Sequence, residues 1–348
     1  MFHTSWSLAP DSRLAAVELV RYQPESHKAQ WGLLFASGFH QPDGLLAETR
    51  RQLGGIPLFG GSCCGIITPA GVEYGGFEAL LMLFDSPPDS LCLDQASPEP
   101  LAPWLGRDHA LCFFDLLGSP LPLETLVPDG RLHGAALLGD FGLENSFVFC
   151  GDQVTRNQLV AVKVPAPALS GISHGALPIS DPLTVTQASG QQVLTLDGEP
   201  ALDKLMAITG LDEAQLKGSM LRQLSLGLPW GERYSSHIMV ATDSQARSLT
   251  LATGQFLEGQ PVVLMSRSTD STFEDMANQL EHFTKDRPSF YINCAGRAGA
   301  FSCAIREEAQ LVRQHQGKAL AGIFSGAELA GTQAGLRLMN WTGVLLQW

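Results

Sequence analysis

Residues 32–37, Gly32-Leu33-Leu34-Phe35-Ala36-Ser37, form an apolar run of strand length. Leu45, Thr49 and Leu53 follow at helical spacing, and the pattern stops at Gly54-Gly55. Ile56-Pro57-Leu58-Phe59 then opens into Gly60-Gly61-Ser62-Cys63-Cys64-Gly65, and a further apolar run over 77–84 closes the segment. The order is strand, helix, strand, glycine-rich loop, strand. It decides the fold because it recurs along the chain.

Near the C-terminal end, Phe290-Tyr291-Ile292-Asn293-Cys294 reads as a strand. The spacing predicts a helix over 303–316, with Ile305, Ala309 and Val312 on one face, Ser302 as its cap and Gly317 as its stop. A strand over 319–324 runs into Ser325-Gly326-Ala327-Glu328, and 341–347 closes the copy. A weaker copy lies between the two. It contains Leu111-Cys112-Phe113-Phe114, a short helix over 123–127, a strand over 135–138, Gly139-Asp140-Phe141-Gly142, and a hairpin from 147–149 to 160–162. The implied fold class is α/β, two interlocked domains built from repeated βαββ units with mixed sheets. Each unit leaves a sheet face that its neighbours bury. The three glycine-rich loops are expected to meet around a common cavity, since glycine permits sharp turns and close approach.

Pro165-Ala166-Pro167 through Pro182 is a connector rich in Pro, Gly and Ser. Beyond it, 183–186 and 193–196 flank Ser189-Gly190 as a hairpin. A helical pattern covers 202–216 with a break near Gly210, and strands fit 237–242 and 262–265. Ser271 and Glu274 form a capping box ahead of an amphipathic run from Phe273 to Phe283.

The 348 residues carry a net charge of −13, with 45% apolar and 16% charged residues. That length suits about two domains. High hydrophobicity and low charge exclude a disordered chain. The acidic balance argues against binding nucleic acid through its phosphates. No run approaches ~18 apolar residues, so no membrane insertion is expected. The first residues lack a basic segment followed by an apolar one, so the expected location is cytoplasmic. Seven cysteines without CxxC spacing argue against a disulfide framework or a structural zinc site.

The chain resembles the FIST family, a FIST N domain followed by a FIST C domain. The resemblance rests on Leu58-Phe59-Gly60-Gly61-Ser62, on Pro182-Leu183-Thr184-Val185-Thr186, and on Leu196-Asp197-Gly198-Glu199-Pro200-Ala201. Further matches are Ile292-Asn293-Cys294-Ala295-Gly296-Arg297, residues 322–329 from Gly322 to Leu329, and Asn340-Trp341-Thr342-Gly343-Val344-Leu345. The order implies a FIST N-like domain over 1–180 and a FIST C-like domain over 181–348. Where the family usually has Gly-Cys before the junction hairpin, this chain has Gly175-Ala176, and Ala327-Glu328 stands in place of the usual Gly-Glu. The resemblance implies a non-catalytic sensory module of signal transduction. It would bind a small ligand and act on a histidine kinase, cyclase or chemoreceptor partner. One branch, the NosP-type nitric oxide sensors, binds haem through a histidine.

The candidate ligand-binding residues are Gly60, Gly61, Ser62, Cys63, Cys294, Arg297, Ser325 and Glu328. Arg297 suits a carboxylate or phosphate, and Glu328 suits an ammonium. The competing structural reading pairs Arg297 with Glu328. The run Gly60 to Cys64 nearly reads as G-x-S-x-G but lacks its last glycine, so a Ser/Cys hydrolase or thiol redox enzyme is the minor reading. Nine histidines form no zinc motif. A haem needs one ligand and an apolar slot. His237 and His174 are the candidates. Glu307-Glu308 and Glu274-Asp275 read as solvated helix faces.

Overall fold

The computed structural model describes residues 2–21, 26–299 and 306–348. Three units of one design surround a common axis. Unit one contains β1 (Phe2–Ser7), α1 (Ser12–Arg21), β2 (Trp31–Ser37), α2 (Pro42–Gln52), β3 (Leu58–Cys63), β4 (Gly65–Ile67), β5 (Val72–Tyr74) and β6 (Ala79–Phe84). Unit two repeats this with β7 (Ser90–Asp94), α3 (Leu101–Leu105), β8 (His109–Asp115), α4 (Leu123–Leu126), β9 (Leu132–Leu137), β10 (Val148–Gly151), β11 (Gln153–Thr155) and β12 (Gln158–Val164).

Unit three opens with β13 (Leu169–His174) and is interrupted by a second body between residues 176 and 267. That body holds β14 (Ala176–Pro178), β15 (Leu183–Ser189), β16 (Gln192–Leu196), β17 (Glu199–Pro200), α5 (Ala201–Thr209), α6 (Gly218–Leu221), β18 (Leu224–Trp230), β19 (Arg233–Asp243), β20 (Ser248–Leu251) and β21 (Pro261–Arg267). Unit three resumes with α7 (Thr269–Leu280), β22 (Ser289–Cys294), α8 (Glu308–Gln316), β23 (Leu320–Ser325), β24 (Ala327–Thr332), β25 (Gly335–Met339) and β26 (Thr342–Gln347).

Each unit pairs two parallel strands, β2–β3, β8–β9 and β22–β23, and a helical crossover makes the parallel pairing feasible. The hairpin after the second parallel strand then leaves for another unit. Hairpin β4–β5 pairs with β23, β10–β11 with β3, and β24–β25 with β9. The three mixed sheets therefore read β1-β6-β2-β3-β10-β11, β7-β12-β8-β9-β24-β25 and β13-β26-β22-β23-β4-β5. No unit completes its own sheet, which is the physical content of the interlocking read from sequence.

The parallel strands are buried along their length, apart from the half-buried His109 at the start of β8, because both faces are covered. Leu33, Phe35, Leu111, Phe113, Phe290 and Ile292 face the axis and share one core. The Phe35 ring lies 5.0 Å from that of Phe113 and 5.8 Å from that of Phe290. Outward residues pack under helices: Leu34 and Ala36 against α1 and α2, Cys112 and Phe114 against α3 and α4, Tyr291 against α7 and α8. Strands β21-β15-β16-β20-β19-β18 close on themselves through β18–β21 as an antiparallel barrel, filled by Val185, Leu226 and Leu264 among others.

Several expectations change in detail. Of the glycines read as loops, Gly60 and Gly61 lie within strand β3, whereas Gly139, Gly142 and Gly326 lie outside strands. Gly60, Gly134 and Gly322 occupy equivalent strand positions, opposite Leu34, Cys112 and Tyr291. A side chain on Gly134 (φ 154°) would overlap the Cys112 carbonyl. Here glycine serves close strand approach, not a turn. Ser268, not Ser271, caps α7: its hydroxyl accepts from the Ser271 N–H. Helix α8 begins at Glu308, and the expected cap and first turn over 302–305 lie outside the described residues. Against the expectation from cysteine parity, Cys92 and Cys150 are bonded, with Cα atoms 6.3 Å apart. They lie on strands of different sheets, a proximity that no spacing rule reveals.

Candidate functional site

The three strand ends that close the repeated order of elements converge. The Cys64 N–H donates to the Phe324 carbonyl, the Gly326 N–H to the Ala136 carbonyl, and the Gly38 N–H to the Gly139 carbonyl. The Cys64 thiol reaches the Leu138 carbonyl at 3.3 Å. Contact is direct, main chain to main chain. Gly60, Gly61, Ser62, Cys63, Cys294, Arg297, Ser325 and Glu328 are all buried. Among the described residues, none of these eight lines any of four prominent cavities.

Gly60, Gly61, Ser62 and Cys63 belong to β3. The Ser62 hydroxyl accepts from the Phe147 N–H at 3.2 Å, a packing bond that brings it no base. Burial pushes the Cys63, Cys64, Cys112 and Cys294 thiols far above the usual thiol range. A protonated thiol is a poor nucleophile.

Cys294, Arg297, Ser325 and Glu328 sit together at the end of the parallel pair β22–β23, where Cys294 is in register with Ser325. A single turn of 3₁₀ helix, Ala295–Arg297, returns the guanidinium into the interior. Its ion-pair partner is Glu308 rather than Glu328, with Arg297 Nε 3.1 Å from Glu308 Oε1. Arg297 also donates to the Ser173 carbonyl at 3.1 Å and the Ser173 hydroxyl at 3.0 Å. Glu308 accepts from Asn293 at 2.8 Å and Tyr291 at 3.3 Å. The expectation that Glu308 is a solvated helix residue is therefore corrected; it is 3% exposed, at the start of α8. Burial raises the Glu328 carboxyl well above its ordinary range, although Ser325 donates to it at 2.9 Å and Arg297 lies near. Both Glu328 oxygens are occupied within the chain, one by the Ser325 hydroxyl and the other by the Thr342 N–H at 3.3 Å.

Ser173 leads to the adjacent His174, on the wall of a cavity of about 430 Å³. This hollow lies where the barrel meets α7. Arg233, Tyr234 and Met265 come from the barrel; Ser271, Glu274, Asp275 and Asn278 come from the helix. Arg233 reaches Asp275 at 2.9 Å, and the same carboxylate oxygen accepts the His174 N–H at 2.8 Å. Asp275 is thus a bridge between the bodies, not a free helix acid. Glu232 and Glu274, both exposed on the lining, have no paired cation among the described residues. With three acids and one arginine on its wall, the cavity favours a cationic group. Sequence reasoning found His174 but missed Arg233, Tyr234 and Asp275, because only the fold brings residues 174, 233 and 275 together.

The two histidines proposed for haem differ. His237 is fully buried, with Thr253 at 3.0 Å on Nδ1 and Ser235 at 3.2 Å on Nε2. Burial lowers it to about 3. With both nitrogens engaged and Gly254 against its ring, it does not fit an axial ligand. His174 has an Nδ1 without a hydrogen-bond partner, and burial lowers it to about 4. It could supply a nitrogen, but Glu232, Glu274, Asp275 and Arg233 do not form the apolar slot a porphyrin face requires. Among the described residues, no three His, Cys, Asp or Glu are grouped to hold a metal ion.

Residues 30–199 match the FIST N domain and residues 201–331 match the FIST C domain. The chain belongs to the FIST family. FIST domains are sensory domains of signal-transduction proteins and are generally not catalytic. Two uncharacterised proteins of Mycobacterium tuberculosis are similar, one from strain CDC 1551 / Oshkosh and one from strain H37Rv. Each is 26% identical over 228 residues, which covers 60% of this chain and 58% of the relative. The shared segment thus spans less than two thirds of those relatives. No helix among the described residues of this FIST protein is long and apolar enough to cross a membrane.

Proposed function

We propose that this FIST protein is a non-catalytic sensor that takes a small amine or zwitterionic amino-acid-like ligand into the cavity between barrel and α7. The observation that carries this reading is the wall composition. Glu232 and Glu274 supply unpaired negative charge, and Leu177, Pro178 and Met265 an apolar surface. A cavity of about 430 Å³ is within the range of small-molecule sites. An occupant would touch both bodies at once. It would therefore bind one relative placement of barrel and helix better than another, which is the condition for passing a signal. A separate kinase, cyclase or chemoreceptor would read that placement.

The test is a thermal-shift and calorimetric survey of amines and amino acids, in wild type and in Glu274→Lys. The expected result is saturable binding by at least one cationic or zwitterionic compound, weakened tenfold or more by the charge reversal on this exposed residue. Absence of any binder, or equal affinity in the variant, would reject the site. For the nitric oxide reading, the observation in favour is confined to the free His174 nitrogen. A Soret band removed by His174→Ala would restore that reading.

A further inference from the structure

We infer that the protein has a second, chemically opposite site: a hollow at one end of the pseudo-threefold axis that takes an apolar molecule carrying a carboxylate. The cavity measures about 440 Å³. Phe2, Trp31, Met82, Phe84, Leu111 and Trp348 make its walls apolar and largely aromatic.

Its origin is visible in the repeat. Leu33, Leu111 and Phe290 form one layer of the central core. Two residues earlier along each first parallel strand stand Trp31, His109 and Pro288. Unit one fills that layer with an indole, stacked on Phe84 at 3.9 Å between ring centroids. The other units place smaller rings there, and the core ends in a hollow. The Trp31 side chain is 2% exposed and closes the inner end of that hollow.

The rim decides the charge of that occupant. Lys163 is already held by Asp89 at 3.0 Å and Asp108 at 2.9 Å. Asp85, the one acid on the lining, is itself partnered. Arg287 lines the same rim, is exposed, and has no carboxylate partner among the described residues. A guanidinium beside an aromatic hollow suits an anionic head on an apolar body, as in a medium-chain or aryl carboxylate. This site goes beyond the polar cavity at α7 and shares no residue with it.

The probe is decanoate, with decanol as its uncharged counterpart, both kept below micelle-forming concentrations. Binding is read by tryptophan fluorescence and melting temperature on the full chain. Decanoate is expected to bind saturably, raise the melting temperature, and bind at least tenfold more tightly than decanol. Arg287→Ala, on the surface, should abolish that preference. Val164→Phe, at a half-buried lining position, should weaken both probes tenfold or more without lowering the melting temperature of the free protein. Glu274→Lys should change neither. Failure of decanoate to bind, equal affinity of the two probes, or indifference to Arg287→Ala or to Val164→Phe would overturn the assignment.

Discussion

Arg297 shows how a residue that looks like a ligand contact serves the interior. Its guanidinium is 5% exposed and bound to Glu308 and to both oxygens of Ser173, so its hydrogen-bonding capacity is largely used within the chain. Buried ion pairs are costly to break from one side, because the remaining charge is stranded in a poor solvent. Arg297→Met and Glu308→Leu should therefore each destabilise the protein by about 3–5 kcal/mol. The double variant should recover much of that loss, since it strands no charge. Chemical denaturation of the four proteins checks this, and additive losses would show that the two residues do not act as a pair. The signal that identified Arg297 was its place after a strand in a family motif. That signal is real for position but silent about partner, because Glu308 is eleven residues away across segments whose path the sequence does not specify.

At the scale of elements, the amphipathic helix α7 was legible from the spacing of Phe273, Met276, Leu280 and Phe283, but its start was not. Two serines, Ser268 and Ser271, are each three residues from a polar group, and the sequence rule favoured the pair with a glutamate. The backbone instead places Ser268 outside the helix in an extended conformation (φ −132°, ψ 112°), the geometry a cap requires. Ser268→Ala should cost about 1 kcal/mol, and Ser271→Ala a few tenths at most. Urea titrations of the two variants separate the assignments, and a larger loss at Ser271 would refute this one. The same limit explains the glycines. Gly60 and Gly61 were read as a loop because glycine is rare in strands, whereas β3 tolerates them where it meets β2 and β10.

At the scale of the molecule, the inserted barrel must be joined to the threefold body. Asn340 forms the pin. It is fully buried, its carbonyl oxygen accepts from Thr253 at 2.8 Å and from the Ile238 N–H at 3.2 Å, and its amide donates to the Gly326 carbonyl at 3.1 Å. Thr253 and Ile238 belong to the barrel side, Gly326 and Asn340 to the body. Removing one side chain leaves several buried polar groups unsatisfied, at about 1–3 kcal/mol each. Asn340→Ala should lower the melting temperature and turn a single thermal transition into two, read by calorimetry. One unaltered transition would show that the joint is held elsewhere. The exchange of hairpins among units predicts the opposite behaviour for the body itself, whose three sheets should melt together.

The sequence alone determined that the chain is α/β, that one supersecondary unit recurs three times, and that the order of its motifs is that of the FIST family. These properties are local: periodicity, turn residues and short motifs survive in one dimension. Tertiary structure decided which hairpin completes which sheet, that Arg297 pairs with Glu308, that Cys92 meets Cys150, and that the candidate hollow lies at His174 and Arg233. Those facts depend on contacts between residues from eleven to well over a hundred positions apart. Such contacts follow from the closing of three sheets around one axis, which residue spacing along the chain does not encode.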